Sequence, residues 1–228
     1  MEKHFESLLS FVPDLLHRRI LDLGSGRGKF LIDMSRRGAE VVGYEKSEEY
    51  ADISREELRS AGLSAEVVVG SGESLPFPDG SFGFINMSEV IEHVEDPDAV
   101  LRETYRVLKR GGGMYVSVPN RFGYKDPHYH LYFVNWLPRS WSEAYIRLRG
   151  KAKNYDGKAG RQQLSAMHYY TYDEFRRLVA SVGFGFIDTR KEKIRRMPLF
   201  KRMFFVPVYA FFRPWYFDTF HFFLTREK

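Results

Sequence analysis

The sequence predicts an α/β fold built on a doubly wound, mostly parallel sheet. Three observations predict it. From residue 19 to residue 120, short runs of branched apolar residues alternate with amphipathic stretches of helical length. A glycine-rich turn, Asp22-Leu-Gly24-Ser-Gly26-Arg-Gly28, joins the first run to the first helix, and the second run ends on the carboxylate of Glu45.

Arg19 to Leu23 is the first strand, Lys29 to Arg37 a helix stopped by Gly38, and Glu40 to Tyr44 the second strand, which together make a βαβ unit. A second helix runs from about Ser47 to Ser60 and is broken by Gly62. Ala65 to Val69 is a third strand, Phe82 to Met87 a fourth, and Pro97 to Leu108 a helix. Gly111 to Gly113 reads as a turn before a fifth strand, Met114 to Val118. Each crossover helix must return on the same hand, so the sheet is covered on both faces and ligands bind beyond the carboxyl ends of its strands.

After Asn120 the rhythm breaks. Residues 121–170 hold Pro127, Pro138, one candidate helix at 138–149 and a Gly/Lys-rich stretch at 150–161, and read as an insertion that forms an acceptor-binding lid. Regular structure resumes in 171–228. Tyr172 to Val182 is a helix with Thr171 as N-cap and Gly183 as stop, Phe184 to Lys191 a strand, and Thr219 to Thr225 the last strand. A basic, aromatic excursion at 195–217 separates those two strands. The expected organisation is a single domain over 1–228, with the cofactor-binding core in 1–120.

Charge divides the chain in the same way. Residues 1–120 carry 14 Lys/Arg against 21 Asp/Glu, whereas residues 121–228 carry 21 against 9, so a formal −7 is followed by +12. Of the 37 aromatic residues, 27 lie after Asn120. The second part reads either as a solvated basic face over a Phe-rich core or as a surface for an anionic or amphipathic substrate. There are no cysteines, which excludes disulfides and thiolate chemistry and suits a reducing cytoplasm. Glu2, Glu6 and Asp14 interrupt the apolar residues of the first twenty positions, unlike the core of an export signal.

The turn at 22–28 carries the strongest chemical signal. Glycine permits a tight strand-to-helix turn and close approach of a ligand backbone-first. Such turns also serve nicotinamide dinucleotides, but the spacing here is G-x-G-x-G rather than G-x-G-x-x-G, and Asp22 precedes the first glycine, where a carboxylate meets a cationic amino group. A zwitterion joined to a nucleoside fits both features. Glu45, 17 positions after Gly28, stands where a carboxylate accepts hydrogen bonds from ribose hydroxyls.

The strings Ile20 to Gly28, Gly43-Tyr-Glu45, Glu73-Ser-Leu-Pro-Phe-Pro-Asp-Gly-Ser-Phe82, Ser88-Glu-Val-Ile-Glu-His-Val94 and Val107-Leu-Lys-Arg-Gly-Gly-Gly113 resemble the class I S-adenosylmethionine-dependent methyltransferases, and among them the large group of ubiquinone- and menaquinone-biosynthesis and sugar or lipid methyltransferases. The resemblance implies a Rossmann-like seven-stranded sheet with an antiparallel last strand. It implies that Asp22 and the turn Gly24, Ser25, Gly26 and Gly28 hold the methionine portion of S-adenosylmethionine, that Glu45 and Lys46 lie at the ribose, that Ser71, Gly72 and Glu73 lie beside the adenine, and that Met87 and Ser88 face the sulfonium. Ser71 departs from the Asp usual in that family, and the short segment ahead of the first strand leaves little chain for the helical lid that many relatives have.

Glu89, Glu92 and His93 stand at i, i+3 and i+4, which puts them on one face of a helical turn. Three readings stay open: ordering of the loop beside the cofactor, a general base at His93 or Glu92, and a divalent metal site. A similar Glu-x-x-Glu-His string provides metal ligands in methyltransferases acting on the terminal ribose of small RNAs. A fourth ligand would come from His128, His130 or His168, none at diagnostic spacing, so no metal is assigned.

The acceptor wall is expected from Asn120 to Phe133, with Asn120, Tyr124, His128 and His130 as candidate contacts, joined by Tyr169 and Tyr170. Met203 to Phe212 contains Pro207 and is half the length of a spanning helix; with the cations around it, 200–217 fits peripheral contact at the inner face of a membrane as well as a hairpin packed on the protein's own core or on a second subunit. No RNA-binding module is visible, so a nucleic acid partner is not expected. The expectation is methyl transfer to a small-molecule or lipid-linked acceptor hydroxyl in the cytoplasm. A metal-assisted RNA ribose methyltransferase and a non-catalytic nucleoside-binding module are the alternatives.

Overall fold

Seven strands form one sheet in the order β3-β2-β1-β4-β5-β7-β6 in the computed structural model, which describes residues 2–153 and 162–227. The strands are β1 (Ile20–Leu23), β2 (Val41–Glu45), β3 (Glu66–Val69), β4 (Phe82–Met87), β5 (Leu108–Pro119), β6 (Gly185–Asp188) and β7 (Thr219–Thr225). Strands β1 to β5 pair in parallel, and β7 lies antiparallel between β5 and β6. The doubly wound fold with its antiparallel last strand is the one the sequence predicts.

The helices are α1 (Glu2–Leu9), α2 (Lys29–Arg36), α3 (Glu48–Ser60), α4 (Pro97–Val107), α5 (Arg139–Leu148), α6 (Tyr172–Val182), α7 (Thr189–Arg195) and α8 (Leu199–Phe212). Their starts follow from side-chain caps: Ser47 accepts from Tyr50 N–H, Asp96 from Ala99 N–H, and Thr171 with Glu174 makes a reciprocal capping box. Residues of α4 and α6 cover one face of the sheet, with Leu101 and Phe175 in a core that includes Ile85 and Phe222. Residues of α1, α2 and α3 cover the other, where Phe5, Leu31 and Leu58 pack with Ile20 and Phe84. The central strands are buried end to end, which is why they read as nearly unbroken apolar runs.

Three elements differ from expectation. Gly111 to Gly113 make no turn: β5 begins at Leu108, and its register on β4 slips between Leu108 and Gly113, so the glycines form an irregularity inside the strand. The strand expected through Lys191 stops at Asp188, whose carboxylate accepts from the N–H groups of Arg190 and Lys191 and starts α7. Residues 195–217 hold α8 rather than a hairpin.

Residues 121–170 contribute a separate core, in which Tyr129, Leu131, Val134, Ile146, Leu164 and Met167 pack together. Of the Gly/Lys-rich stretch, residues 154–161 lie outside the described residues.

Candidate active site

The parallel register sets Asp22 on β1 beside Gly43 on β2 and Asn86 on β4, at the carboxyl end of the sheet. Asp22 is buried; one carboxylate oxygen accepts from the Asn86 amide at 2.8 Å, and the other has no hydrogen-bond partner. Burial pushes its pKa up, the Asn86 amide opposes this, and nearby Glu45 adds to it, leaving the carboxyl at about 7. Ser25 Oγ, one turn further on, is also buried without a partner.

Gly26, the next residue of the turn, has φ +52°, and a Cβ built there would meet nothing within 4 Å. Gly24 is different, because a Cβ there would collide with Val90 at 2.3 Å. Gly24 is therefore required by packing, whereas Gly26 presents bare backbone to open space. Glu45, also buried, accepts from Gly26 N–H at 2.8 Å and Ser47 N–H at 2.9 Å, which ties the end of β2 to the turn and leaves each carboxylate oxygen a further acceptor position. Orphaned buried acceptors, bare backbone and an anchored carboxylate together fit an amino-acid-bearing nucleoside.

Other expected cofactor residues divide. Ser71 Oγ donates to Glu73, and Glu73 accepts from Glu95 N–H at 2.9 Å. Burial raises Glu73, but these hydrogen bonds outweigh it and hold the carboxyl below its usual range. Gly72 lies between them against Val100 and Leu23. Lys46 turns outward and pairs with Glu95 at 2.8 Å, away from the turn. The Met87 side chain is fully buried and packs in the core with Ile85 and Val116. Ser88 remains at the strand end, its hydroxyl 3.2 Å from that of Ser117.

The helical turn expected to group Glu89 with Glu92 and His93 begins one residue late: His93 N–H donates to the Val90 carbonyl at 2.8 Å, and Glu89 stays outside the turn. Glu89 is exposed with φ +58°, in the left-handed region, and is not grouped with Glu92 and His93. His128 takes its place. Glu92, His93 and His128 each offer a ligand atom, all within 4.8 Å of one another. Glu92 is 1% exposed, and among the described residues neither carboxylate oxygen has a hydrogen-bond partner; His128 Nε2 lies 3.4 Å from one of them. Gln162 orients His93. Its Nε2 donates to the His93 carbonyl at 3.1 Å, so its Oε1, 3.1 Å from His93 Nδ1, is the acceptor, and Nε2 of the neutral ring keeps its lone pair. Burial lowers the His93 pKa.

The expected acceptor residues separate in the same way. Asn120 is consumed by structure: it donates to the carbonyls of Pro214 and Phe217 and accepts from Phe122 N–H. Tyr169 is buried and donates to Asp126 at 2.8 Å, while Asp126 also accepts from His128 and Tyr129 N–H, an arrangement that positions the His128 loop. His130 is exposed and outside the cluster. Tyr170 packs on Phe175, and Tyr124 stacks on Tyr216 at 5.7 Å. His168 touches the cluster only through its backbone, donating to the Glu92 carbonyl.

Sequence reasoning missed several groups. Asn86 had a signal, a lone amide in the otherwise apolar strand Phe82 to Met87. Gln162, Asp126 and a chain of His4, Tyr115 and His221 had none, because they meet only through tertiary structure. Tyr115 Oη lies 2.8 Å from His221 Nδ1, and the His4 ring of α1 meets the Tyr115 ring edge-on at 4.7 Å. Burial brings His221 down to about 4.

Residues 21–116 match the protein family described as a methyltransferase domain. The chain is 39% identical over 111 residues to the biotin biosynthesis bifunctional protein BioHC of Cellvibrio japonicus, covering 48% of this chain and 22% of that one. It is 35% identical over 109 residues to the ubiquinone biosynthesis O-methyltransferase of Xanthomonas oryzae, covering 47% and 46%. The chain thus spans half or less of the length of these curated relatives. Among solved structures, an S-adenosylmethionine-dependent methyltransferase from Thermotoga maritima superposes with a TM-score of 0.52 at 26% identity, covering 80% of this chain and 72% of that one.

Proposed function

We propose, from the match of residues 21–116 to the methyltransferase domain family, that the chain transfers the methyl group of S-adenosylmethionine to a hydroxyl oxygen of a small-molecule or lipid-linked acceptor. The observation that carries the donor is the turn itself: Gly26 has no atom within 4 Å of a built Cβ, its N–H is held by Glu45, and Asp22 and Ser25 each keep a buried oxygen with no hydrogen-bond partner among the described residues. S-adenosylmethionine supplies an electrophilic methyl on a sulfonium. Asp22 holds the cationic amino group, the bare Gly26 backbone admits the methionine portion, and Glu45 accepts the ribose hydroxyls.

The chain's part in the transfer is orientation and proton removal. As the acceptor oxygen bonds to the methyl carbon, the carbon–sulfur pair stays on sulfur and the acceptor proton passes to the free Nε2 of His93. Glu92 stabilises the imidazolium that results. The 35% identity over 109 residues to a ubiquinone biosynthesis O-methyltransferase supports oxygen as the attacking atom. Calorimetry with S-adenosylhomocysteine tests the donor: micromolar binding is expected, weakened at least tenfold by Asp22→Asn or Glu45→Gln, and competition by a nicotinamide dinucleotide instead would replace this reading with a dehydrogenase.

A second reading rests on Glu92. A buried carboxylate whose oxygens take part in no hydrogen bond among the described residues, grouped with two imidazoles, would suit a divalent cation held by Glu92, His93 and His128, which would supply Lewis-acid chemistry to an acceptor oxygen. Metal analysis of the purified protein separates the two. About one equivalent, lost in His128→Ala, supports the cation; none, with turnover unaffected by chelator, leaves His93 as the base.

A further inference from the structure

Helix α8 is apolar on nearly every side and yet almost wholly exposed. Leu199, Phe200, Met203, Phe204 and Phe211 are each more than 60% exposed, and Tyr209 alone in the helix is buried. A solvated helix ordinarily buries an apolar stripe and shows a polar one. This one buries a single tyrosine, whose hydroxyl donates to Asp188 at 2.6 Å, and turns its phenylalanines outward. Beneath it, an apolar cleft of about 400 Å³ opens between α7 and α8, lined by Ile194, Phe205, Val208 and Phe212, with Arg190 at its edge. Exposed apolar surface on this scale marks a contact surface.

Charge identifies the occupant. Residues 190–216 carry eight Lys/Arg against one acid, Glu192. A second copy of this chain would bring the same cations against themselves. A nucleic acid would meet phenylalanines where it needs cations. A bilayer bearing anionic lipid satisfies both halves, with the phenylalanines among acyl chains and the cations at the phosphates. At about 21 Å, α8 is too short to cross a hydrocarbon layer of about 30 Å, and among the described residues no helix is long and apolar enough to do so.

We propose that α8 and the aromatic residues following it form a docking surface for an anionic bilayer, with α8 lying in the plane of the headgroups. Trp215 and Tyr216, exposed just beyond α8, take the interfacial position that such rings favour. The surface continues to the loop after β5: Tyr216 stacks on Tyr124, Tyr124 N–H donates to the Trp215 carbonyl at 2.8 Å, and Asn120 holds the carbonyls of Pro214 and Phe217. Docking therefore sets the carboxyl end of the sheet beside the membrane. On the methyl-transfer reading, from which the docking itself is independent, the acceptor enters from the lipid side.

Co-sedimentation of the full chain with vesicles of phosphatidylcholine, alone or with about one-third phosphatidylglycerol, tests this. Binding to the anionic vesicles is expected, about tenfold weaker on the neutral ones and weakened by salt. Phe200→Glu with Phe204→Glu should lower it about tenfold or more with S-adenosylhomocysteine affinity unchanged, and Lys201→Gln with Arg202→Gln should lower it on anionic vesicles only. Absence of vesicle binding at low salt overturns the proposal, as does binding indifferent to the Phe200/Phe204 pair. A concentration-dependent dimer that those same substitutions dissociate would assign the surface to a second copy instead. Vesicle binding without any S-adenosylhomocysteine binding would sink the donor assignment and leave the docking surface standing.

Discussion

The amide of Asn86 donates to Asp22 across the β1–β4 ladder at 2.8 Å and leaves the other Asp22 oxygen buried and unpartnered. With its carboxyl at about 7, Asp22 is half protonated near neutrality, and a cationic ligand group binds only the ionised form. Affinity for S-adenosylhomocysteine should therefore fall as pH drops below 7, and binding there should release a proton. Calorimetry in buffers of different ionisation enthalpy measures that proton, and Asp22→Asn should abolish it.

The same group makes a prediction of opposite sign for stability. A carboxyl whose folded pKa lies above its unfolded value binds more protons when folded, so stability falls as pH rises from about 4 to about 7 and levels off above. Asp22→Asn removes that penalty, and the ligand-free variant should melt a few degrees higher than the parent at pH 8 while binding ligand less well. An unchanged or lowered Tm at pH 8 would contradict the burial of an unpaired carboxylate.

Gly26 and Gly38 separate backbone strain from ligand approach. Both have positive φ, +52° and +81°, and neither has an atom within 4 Å of a built Cβ. Alanine should cost each site about 1 kcal/mol of stability, yet only Gly26→Ala should reduce S-adenosylhomocysteine affinity, by about tenfold or more. Equal affinities in the two variants would remove Gly26 from the ligand site.

The contrast between these glycines shows what the sequence makes legible. Strands β4 and β7 end where their residue patterns say, and the turn at 22–28 declares a ligand site, because both depend on neighbours in the chain. Gly111–Gly113 suggests a turn in the sequence and forms a strand irregularity in the fold, because glycine marks bulges and turns alike. The spacing of Glu89 predicts a helical face that its left-handed φ interrupts. His128 reaches Glu92 only because Tyr169 and Asp126, 43 positions apart, fix its loop, and no local pattern encodes such a contact.

His93 depends on Gln162 for its tautomer. Burial holds the imidazole below its usual pKa, so the acid limb of the pH–rate profile should lie below about 6.5. Gln162→Glu, which sets an anion against Nδ1, should move that limb to higher pH, and His93→Ala should slow turnover while sparing S-adenosylhomocysteine affinity. A profile indifferent to Gln162→Glu would take His93 out of proton transfer.

Tyr209 is the side chain that fastens α8. Its hydroxyl donates to Asp188, which also caps α7 through the N–H groups of Arg190 and Lys191. Tyr209→Phe should cost about 2 kcal/mol, since it leaves a buried carboxylate oxygen without its donor. Tyr209→Ala also removes the ring from Phe217, and it should free α8 from the sheet without unfolding it, because no other residue of α8 is buried. Limited proteolysis should then cut near residues 196–198 while S-adenosylhomocysteine affinity persists. If cutting there were unchanged in Tyr209→Ala, the attachment of α8 would have to rest on its partly covered valines instead.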